Sequence, residues 1–140
     1  MTPIQPVHEG DTGPKVTALH VGLIFLIGHQ GNPPNVQQTL LAKLAPDVTH
    51  NVFGEPTRHL VGIYQLQLKN WPNYWTPPKL PQDIANIVQS IPASCPGDVD
   101  KGTAKALNWL VETFRRMASP PPPRGNLRPA AILQQQRLLS

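Results

Sequence analysis

Proline constrains this chain more than any other residue, because 18 of its 140 residues are proline. Proline lacks a backbone N–H and its ring clashes with the preceding helical turn, so helix interiors and central strands tolerate it poorly. A content so far above ordinary usage predicts extensive irregular connections and argues against long uninterrupted helices or strands. Proline fits without cost at the first turn of a helix, where Pro14 and Pro56 are expected.

Apolar residues at helical spacing predict an all-α chain, since no strand pattern exceeds a few residues. The predicted elements are three principal helices, at about residues 14–28, 56–69 and 100–117, and two short ones, at about 36–44 and 83–91. Asp11 or Thr12 is expected to cap the first helix and Asp100 the last. The helix at 36–44 should stop before Pro46, and residues 71–81 should form a proline-rich aromatic loop.

Two stretches share one design, a small turn followed by a threonine and a helix. They are residues 53–65 and residues 99–108. The aligned pairs are Phe53 and Val99, Gly54 and Asp100, Thr57 and Thr103, Leu60 and Ala106, and Val61 and Leu107. Two copies in one chain indicate an internal pseudo-repeat. In the first copy, the Thr57 hydroxyl is expected to cap free N–H groups of its own helical turn.

Charge is unevenly distributed along the chain. Residues 1–112 hold seven Lys or Arg and eight Asp or Glu, whereas residues 113–140 hold five Arg and no acid. A nearly neutral body argues against a nucleic-acid-binding core. The basic tail suits either an anionic partner or, more simply, a solvated segment.

The apolar runs, the cysteine content and the N-terminus indicate in which cellular environment the chain works. The longest apolar run, residues 21–27, is far shorter than the roughly 20 residues that span a bilayer, so no membrane association is expected. Cys95 is the only cysteine and excludes an intramolecular disulfide. The N-terminus does not look like a signal peptide. The chain is therefore expected to stay inside the cell before any delivery to the envelope, to be exported by another route, or to be part of a longer protein.

Three ordered motifs resemble the peptidoglycan-binding-like domain, a small three-helix module often attached to cell-wall hydrolases. The opening pattern GD-x-G-x-x-V-x-x-L-Q is matched by Gly10, Asp11, Gly13, Val16 and Leu19, with His20 in the glutamine position. The middle pattern FG-x-x-T-x-x-A-V-x-x-F-Q is matched by Phe53, Gly54, Thr57, Val61 and Gln65, with Leu60 and Tyr64 as replacements. The last pattern G-x-V-D-x-x-T-x-x-A-L-N is matched by Gly97, Val99, Asp100, Thr103, Ala106, Leu107 and Asn108.

The resemblance implies a three-helix peptidoglycan-binding-like bundle, here with two inserted short helices, long proline-rich loops and a C-terminal tail. The expected domain covers residues 1–118, with insertions at about 29–52 and 66–96, and residues 119–140 form a proline-rich linker and basic tail. The matching residues build turns, caps and core, so they bear on the fold more than on the ligand.

Two groups of residues are candidate ligand contacts. Asp98 and Asp100 can accept hydrogen bonds from sugar hydroxyls or peptide amides, but aspartate before a helix more often caps it. Trp71, Tyr74 and Trp75 either form a platform on which sugar rings stack or fold back as a lid over the core. We favour the lid, because a chain with few aromatic residues needs its large ones inside.

Arg58 and His59 on the central helix add polar contacts if their surface is exposed. The five histidines form no H-E-x-x-H pattern and Cys95 has no cysteine partner, so no metal or other cofactor is expected. Neither a Gly-x-Ser-x-Gly elbow nor a phosphate-binding loop occurs, so the sequence does not predict an enzyme.

The leading hypothesis is a non-catalytic module that binds bacterial peptidoglycan. The alternative is a protein–protein interaction or adaptor domain on the same fold, within a larger toxin, phage or secretion-linked assembly. The partner is accordingly peptidoglycan or another protein of such an assembly.

Overall fold

The structure, a computed structural model, describes residues 1–74 and 78–118. The predicted tail at 119–140 lies outside the described residues. The regular elements of the described part are helices, apart from two isolated antiparallel bridges that join Val7 to Val99 and Thr12 to Val52. The helices are α1 (Pro14–His29), α2 (Pro34–His50), α3 (Glu55–Lys69), the single turn α4 (Trp71–Tyr74), α5 (Gln82–Ser90) and α6 (Lys101–Ala118). The predicted all-α class is confirmed.

Proline does not shorten the helices as its abundance predicted. The four longest, α1, α2, α3 and α6, have 16, 17, 15 and 18 residues. Pro14, Pro34 and Pro56 lie in the first two positions of α1, α2 and α3. There the missing N–H would have no helical partner, and the fixed φ of proline already suits the helix. Proline therefore starts three of these helices.

The second helix corrects another prediction, because α2 continues through Pro46 to His50. Proline at this position removes the hydrogen bond to the carbonyl of Ala42, one turn earlier. Both Ala42 and Pro46 are exposed, so the interruption lies on the outer side of the helix. The last turn then carries the buried Asp47 into the core and ends at Asn51, which adopts the left-handed conformation with φ 50°. The prediction of a short helix is therefore wrong, because α2 has 17 residues.

The core contains both copies of the predicted pseudo-repeat. Every aligned apolar position is buried, namely Phe53 with Val99, Leu60 with Ala106, and Val61 with Leu107. The two threonines are also buried. Packed around them are apolar side chains of α1, including Leu19, Leu23 and Leu26. The predicted alignment therefore describes one continuous core.

A polar side chain in each of α1, α3 and α6 ties its helix to another part of the core. All three side chains lie at the last position of the motifs identified in the sequence. The three pairs are His20 with the Thr57 hydroxyl at 2.9 Å, Gln65 with the Thr103 hydroxyl at 3.2 Å, and Asn108 with the backbone of Ile4 at 2.7 and 2.9 Å. Each motif thus ends on a side chain that joins it to another segment.

Candidate functional site

An open groove of about 520 Å³ lies between α3 and the segment that follows α5. We call it the Arg58 groove. It is lined by Glu55, Arg58, His59, Gly62, Ile63 and Leu66 from α3, and by Ala93, Ser94, Cys95 and Pro96 from the facing segment. Residues 55 and 66 are 11 positions apart on a helix, so the groove follows α3 for roughly 16 Å. Its volume is within the usual range for small-ligand sites, about 300–1,000 Å³.

Two glycines hold the facing segment close to α3. A Cβ on Gly62 would lie 2.8 Å from the carbonyl oxygen of Cys95. Gly97 has φ +84°, and a Cβ there would lie 2.0 Å from the carbonyl oxygen of Arg58. The Gly97 N–H also donates to the Gln65 side chain at 2.9 Å. The walls of the groove are therefore fixed by backbone contacts that only glycine allows.

Arg58 lies at one end of the groove with its guanidinium held on several sides. It donates hydrogen bonds to Glu55 at 3.1 to 3.3 Å and to the Pro96 carbonyl at 3.1 Å. The hydrogen bonds with Glu55 raise the pKa of Arg58 above its usual value, with further support from Glu9 and Asp98. The side chain is thus anchored, and its neighbour His59 is exposed beside it.

Among the described residues, the surroundings of Arg58 carry more negative than positive charge. Glu9 lies 3.8 Å from the Arg58 guanidinium, Glu55 lies 3.1 Å from it, and Asp98 is close enough to interact electrostatically. One guanidinium therefore interacts with three carboxylates, two of them at ion-pair distance. The Glu9 and Glu55 side chains are 51% and 68% exposed, so a ligand can approach both carboxylates, although Glu55 already accepts hydrogen bonds from Arg58.

Cys95 is the candidate nucleophile of the groove by residue type. It has φ 48° and is partly buried. Burial raises the pKa of its thiol, and the opposing effect of Lys69 is smaller. Since the thiolate is the reactive form, a raised pKa favours the inert thiol at neutral pH.

Trp71 is in the core and not on the surface. Its side chain is 1% exposed and its ring packs edge-on against Trp109 and Phe114, with centroids 5.1 and 6.4 Å away. Its indole N–H donates to the Pro78 carbonyl at 2.6 Å. The platform interpretation is therefore wrong for Trp71, which forms a lid over the core as favoured from sequence. The side chain of Tyr74 and the whole of Trp75 lie outside the described residues.

Asp98 and Asp100, both exposed, have different surroundings. Asp100 accepts a hydrogen bond from the Thr103 N–H at 2.7 Å, as a helix cap does. Asp98 uses its backbone carbonyl to accept a hydrogen bond from the Gln65 side chain at 3.0 Å, and its carboxylate interacts electrostatically with Arg58. The structure thus brings Arg58, His59 and Asp98 to one surface, and gives Asp100 a structural contact at the start of α6.

The start of α3 contains a buried polar chain that sequence reasoning missed. One Asp47 oxygen accepts from the Gly54 N–H at 2.9 Å, the Thr57 N–H at 2.9 Å and the Thr57 hydroxyl at 2.6 Å. Asp47 therefore caps α3, and the predicted capping role of the Thr57 hydroxyl is wrong. At the start of α1 the N-cap is Gly13, without a side-chain cap, so the predicted cap at Asp11 or Thr12 is wrong too.

This chain, Asp47–Thr57–His20, contains the residue types of a catalytic triad but not its geometry. The single hydroxyl proton of Thr57 points to Asp47, so His20 must donate to the hydroxyl rather than accept from it. A general base would need the opposite direction. Thr57 is fully buried as well. Burial lowers the pKa of His20, against a smaller raising effect from Asp47, which fits a neutral structural histidine.

Within residues 1–74 and 78–118, no three His, Cys, Asp or Glu side chains group as a metal site requires. No described helix is both long and apolar enough to cross a bilayer.

No protein-family model, curated protein or solved structure matches this chain. Function is therefore inferred from the residues themselves and from the geometry of the Arg58 groove.

Proposed function

We propose that this chain is a non-catalytic module that binds bacterial peptidoglycan and so brings a larger assembly or enzyme to the cell wall. The three sequence motifs suggest the peptidoglycan-binding-like bundle. Their helices, α1, α3 and α6, each carry a polar tie at the same motif position. That arrangement supports the three-helix assignment, with α2 and α5 as insertions.

The observation that carries the binding proposal is the Arg58 groove. It is open and of small-ligand size, and it places Arg58 and His59, two of the residues selected from sequence, along one wall. Its centre is apolar, at Gly62 and Ile63, and one end is charged. An apolar centre with a few polar groups at one end suits a ligand that presents both apolar and ionised groups.

Co-sedimentation with purified sacculi tests this proposal directly. We expect the protein to pellet with sacculi at low salt and to remain in solution without them. The unfolded protein, or an unrelated basic protein of similar size, controls for adsorption by the Arg-bearing tail. Recovery of all the folded protein in the supernatant would reject wall binding.

An adaptor function is the second candidate, and exposed apolar side chains outside the Arg58 groove favour it. Val21 and Ile24 on α1, and Leu41 and Val48 on α2, are 38 to 44% exposed although they are large and apolar. A Val21→Asp, Ile24→Asp double variant should leave sacculus binding unchanged under the wall proposal. If the chain is an adaptor, that variant should lose its protein partner in cross-linking experiments and wild type should not pellet with sacculi.

A further inference from the structure

The described residues of the Arg58 groove offer three features to a ligand, and none of them is an aromatic stacking surface. The ten described residues that line it include no Phe, Tyr or Trp, and Trp71 is buried against Trp109. Sugar rings commonly bind by stacking their C–H faces on such rings, in addition to hydrogen bonds from their hydroxyls. The lining instead provides an apolar strip, a fixed polar wall and an acidic end, so it is better suited to a peptide than to a glycan strand.

The apolar strip follows one face of α3. Gly62 and Ile63 lie at the middle of the groove and Leu66, 38% exposed, at the far end. Glu55 is two turns before Gly62 on the same side, because helical residues separated by about seven positions share a face. A chain of methylene groups laid along this strip would reach the acidic end of the groove.

The charges at that end favour a cation. Two carboxylates, from Glu9 and Glu55, lie within ion-pair distance of the Arg58 guanidinium, and a third, from Asp98, interacts with it electrostatically. A second anion placed there would be repelled, whereas an ammonium would share the exposed carboxylates. An alkyl chain ending in an ammonium, with its stem on apolar surface and its charge at the rim, is the side-chain chemistry that fits both parts.

We propose that the Arg58 groove binds an amine-bearing side chain of the peptidoglycan peptide stem. The methylene groups lie along Ile63 and Leu66, and the terminal ammonium lies beside Glu55. This inference rests on the proposed function and names the part of the polymer that the groove selects. Stems whose amine is already used in a cross-link lack the charge, so the module is selective for sparsely cross-linked wall.

Competition co-sedimentation provides the test. The protein is bound to sacculi and displaced with a synthetic stem peptide that carries a free side-chain amine, or with the same peptide acetylated on that amine. The free-amine peptide should displace the protein at lower concentration than its acetylated form. That advantage should shrink as salt rises, because exposed charges are screened. Equal displacement by the two peptides would overturn the inference.

Two charge-neutralising variants test whether the ammonium of the peptide binds beside Glu55. Glu55→Gln should weaken binding of the free-amine peptide by about two- to fivefold, the value of an exposed ion pair. Asp83→Asn makes the same charge change at an exposed carboxylate that pairs with Lys105 on the α5–α6 surface, and it should bind as wild type does. Equal effects of the two variants would also reject the inference. If wild type pellets but shows neither preference, only the stem-amine proposal fails; if it never pellets, wall binding fails with it.

Discussion

At the scale of single residues, Trp71 shows how strongly burial limits the role of a side chain. It is enclosed by Trp109 and Phe114, and its indole N–H is satisfied by a backbone carbonyl. We predict that Trp71→Ala lowers the free energy of unfolding by about 3–5 kcal/mol, through lost burial and the cavity that remains. Urea denaturation monitored by circular dichroism measures this change in the free energy of unfolding. Leu41→Ala, at an exposed position, should change stability by less than about 0.5 kcal/mol, and equal effects of both changes would contradict the core position of Trp71.

His20 gives a prediction about pH. Its pKa is lowered in the folded protein by burial, so the unfolded chain binds more protons as the pH falls below the ordinary histidine value. The contribution of His20 to stability is therefore present above about pH 6.5 and is lost as the pH falls toward the lowered folded value. We expect wild type to lose stability from pH 7 to pH 5 by more than His20→Gln does.

Glutamine is the informative replacement because Gln65 makes the equivalent bond to Thr103 in the other copy. The His20→Gln side chain should donate to Thr57 in the same way without titrating. Thermal unfolding of both proteins at several pH values measures how much more stability wild type loses than the variant. The other histidines contribute equally to both proteins, so they do not affect this difference. Parallel loss of stability in the two proteins would show that His20 is not the titrating group.

At the scale of elements, α3 and α6 each begin with a threonine N–H that donates to a carboxylate, but the carboxylate comes from a different place in each. In α6 the exposed Asp100 accepts from the N–H of Thr103, three residues later. In α3 the equivalent position is Gly54, and Asp47 from the end of α2 supplies the carboxylate. In both copies of the pseudo-repeat a carboxylate therefore accepts a hydrogen bond from the threonine N–H. In the α6 copy the carboxylate belongs to the same segment, and in the α3 copy it belongs to α2.

This difference predicts unequal costs of removal. Asp100→Ala should cost about 0.5–2 kcal/mol, as loss of a helix cap does. Asp47→Ala should cost about 3 kcal/mol or more, because it leaves three donors at the buried start of α3 without their acceptor. Chemical denaturation of the two variants compares them. Similar losses in both would contradict the role of α2 in fixing α3.

At the scale of the whole molecule, local sequence patterns predicted the helices well and their mutual contacts less well. The bounds of α1, α3, α5 and α6 follow from periodicity and turn residues close to each element. The extension of α2 through Pro46 did not, because it depends on the buried contact of Asp47 with a segment that begins several residues later. Capping by Asp47 is a tertiary contact, and no local spacing identifies it.

The candidate site was predictable to a similar extent. Arg58 and His59 were identifiable as polar residues on the central helix, and the structure places both on the groove. The facing wall, at Ala93–Pro96, was not expected, because its position depends on close backbone contacts at Gly62 and Gly97. Those glycines match turn or helix patterns in sequence, and only the fold shows that they face each other.

The central claim, that the Arg58 groove holds peptidoglycan, is tested most directly by filling the groove. Ala93 is exposed and lines it, so Ala93→Trp should occupy the site without disturbing the core. Ala42→Trp adds the same side chain at an exposed position on α2, away from the groove. Co-sedimentation with sacculi should pellet wild type and Ala42→Trp and leave Ala93→Trp in the supernatant, with equal thermal midpoints for all three. Equal pelleting of the two variants, or no pelleting of wild type, would contradict the claim.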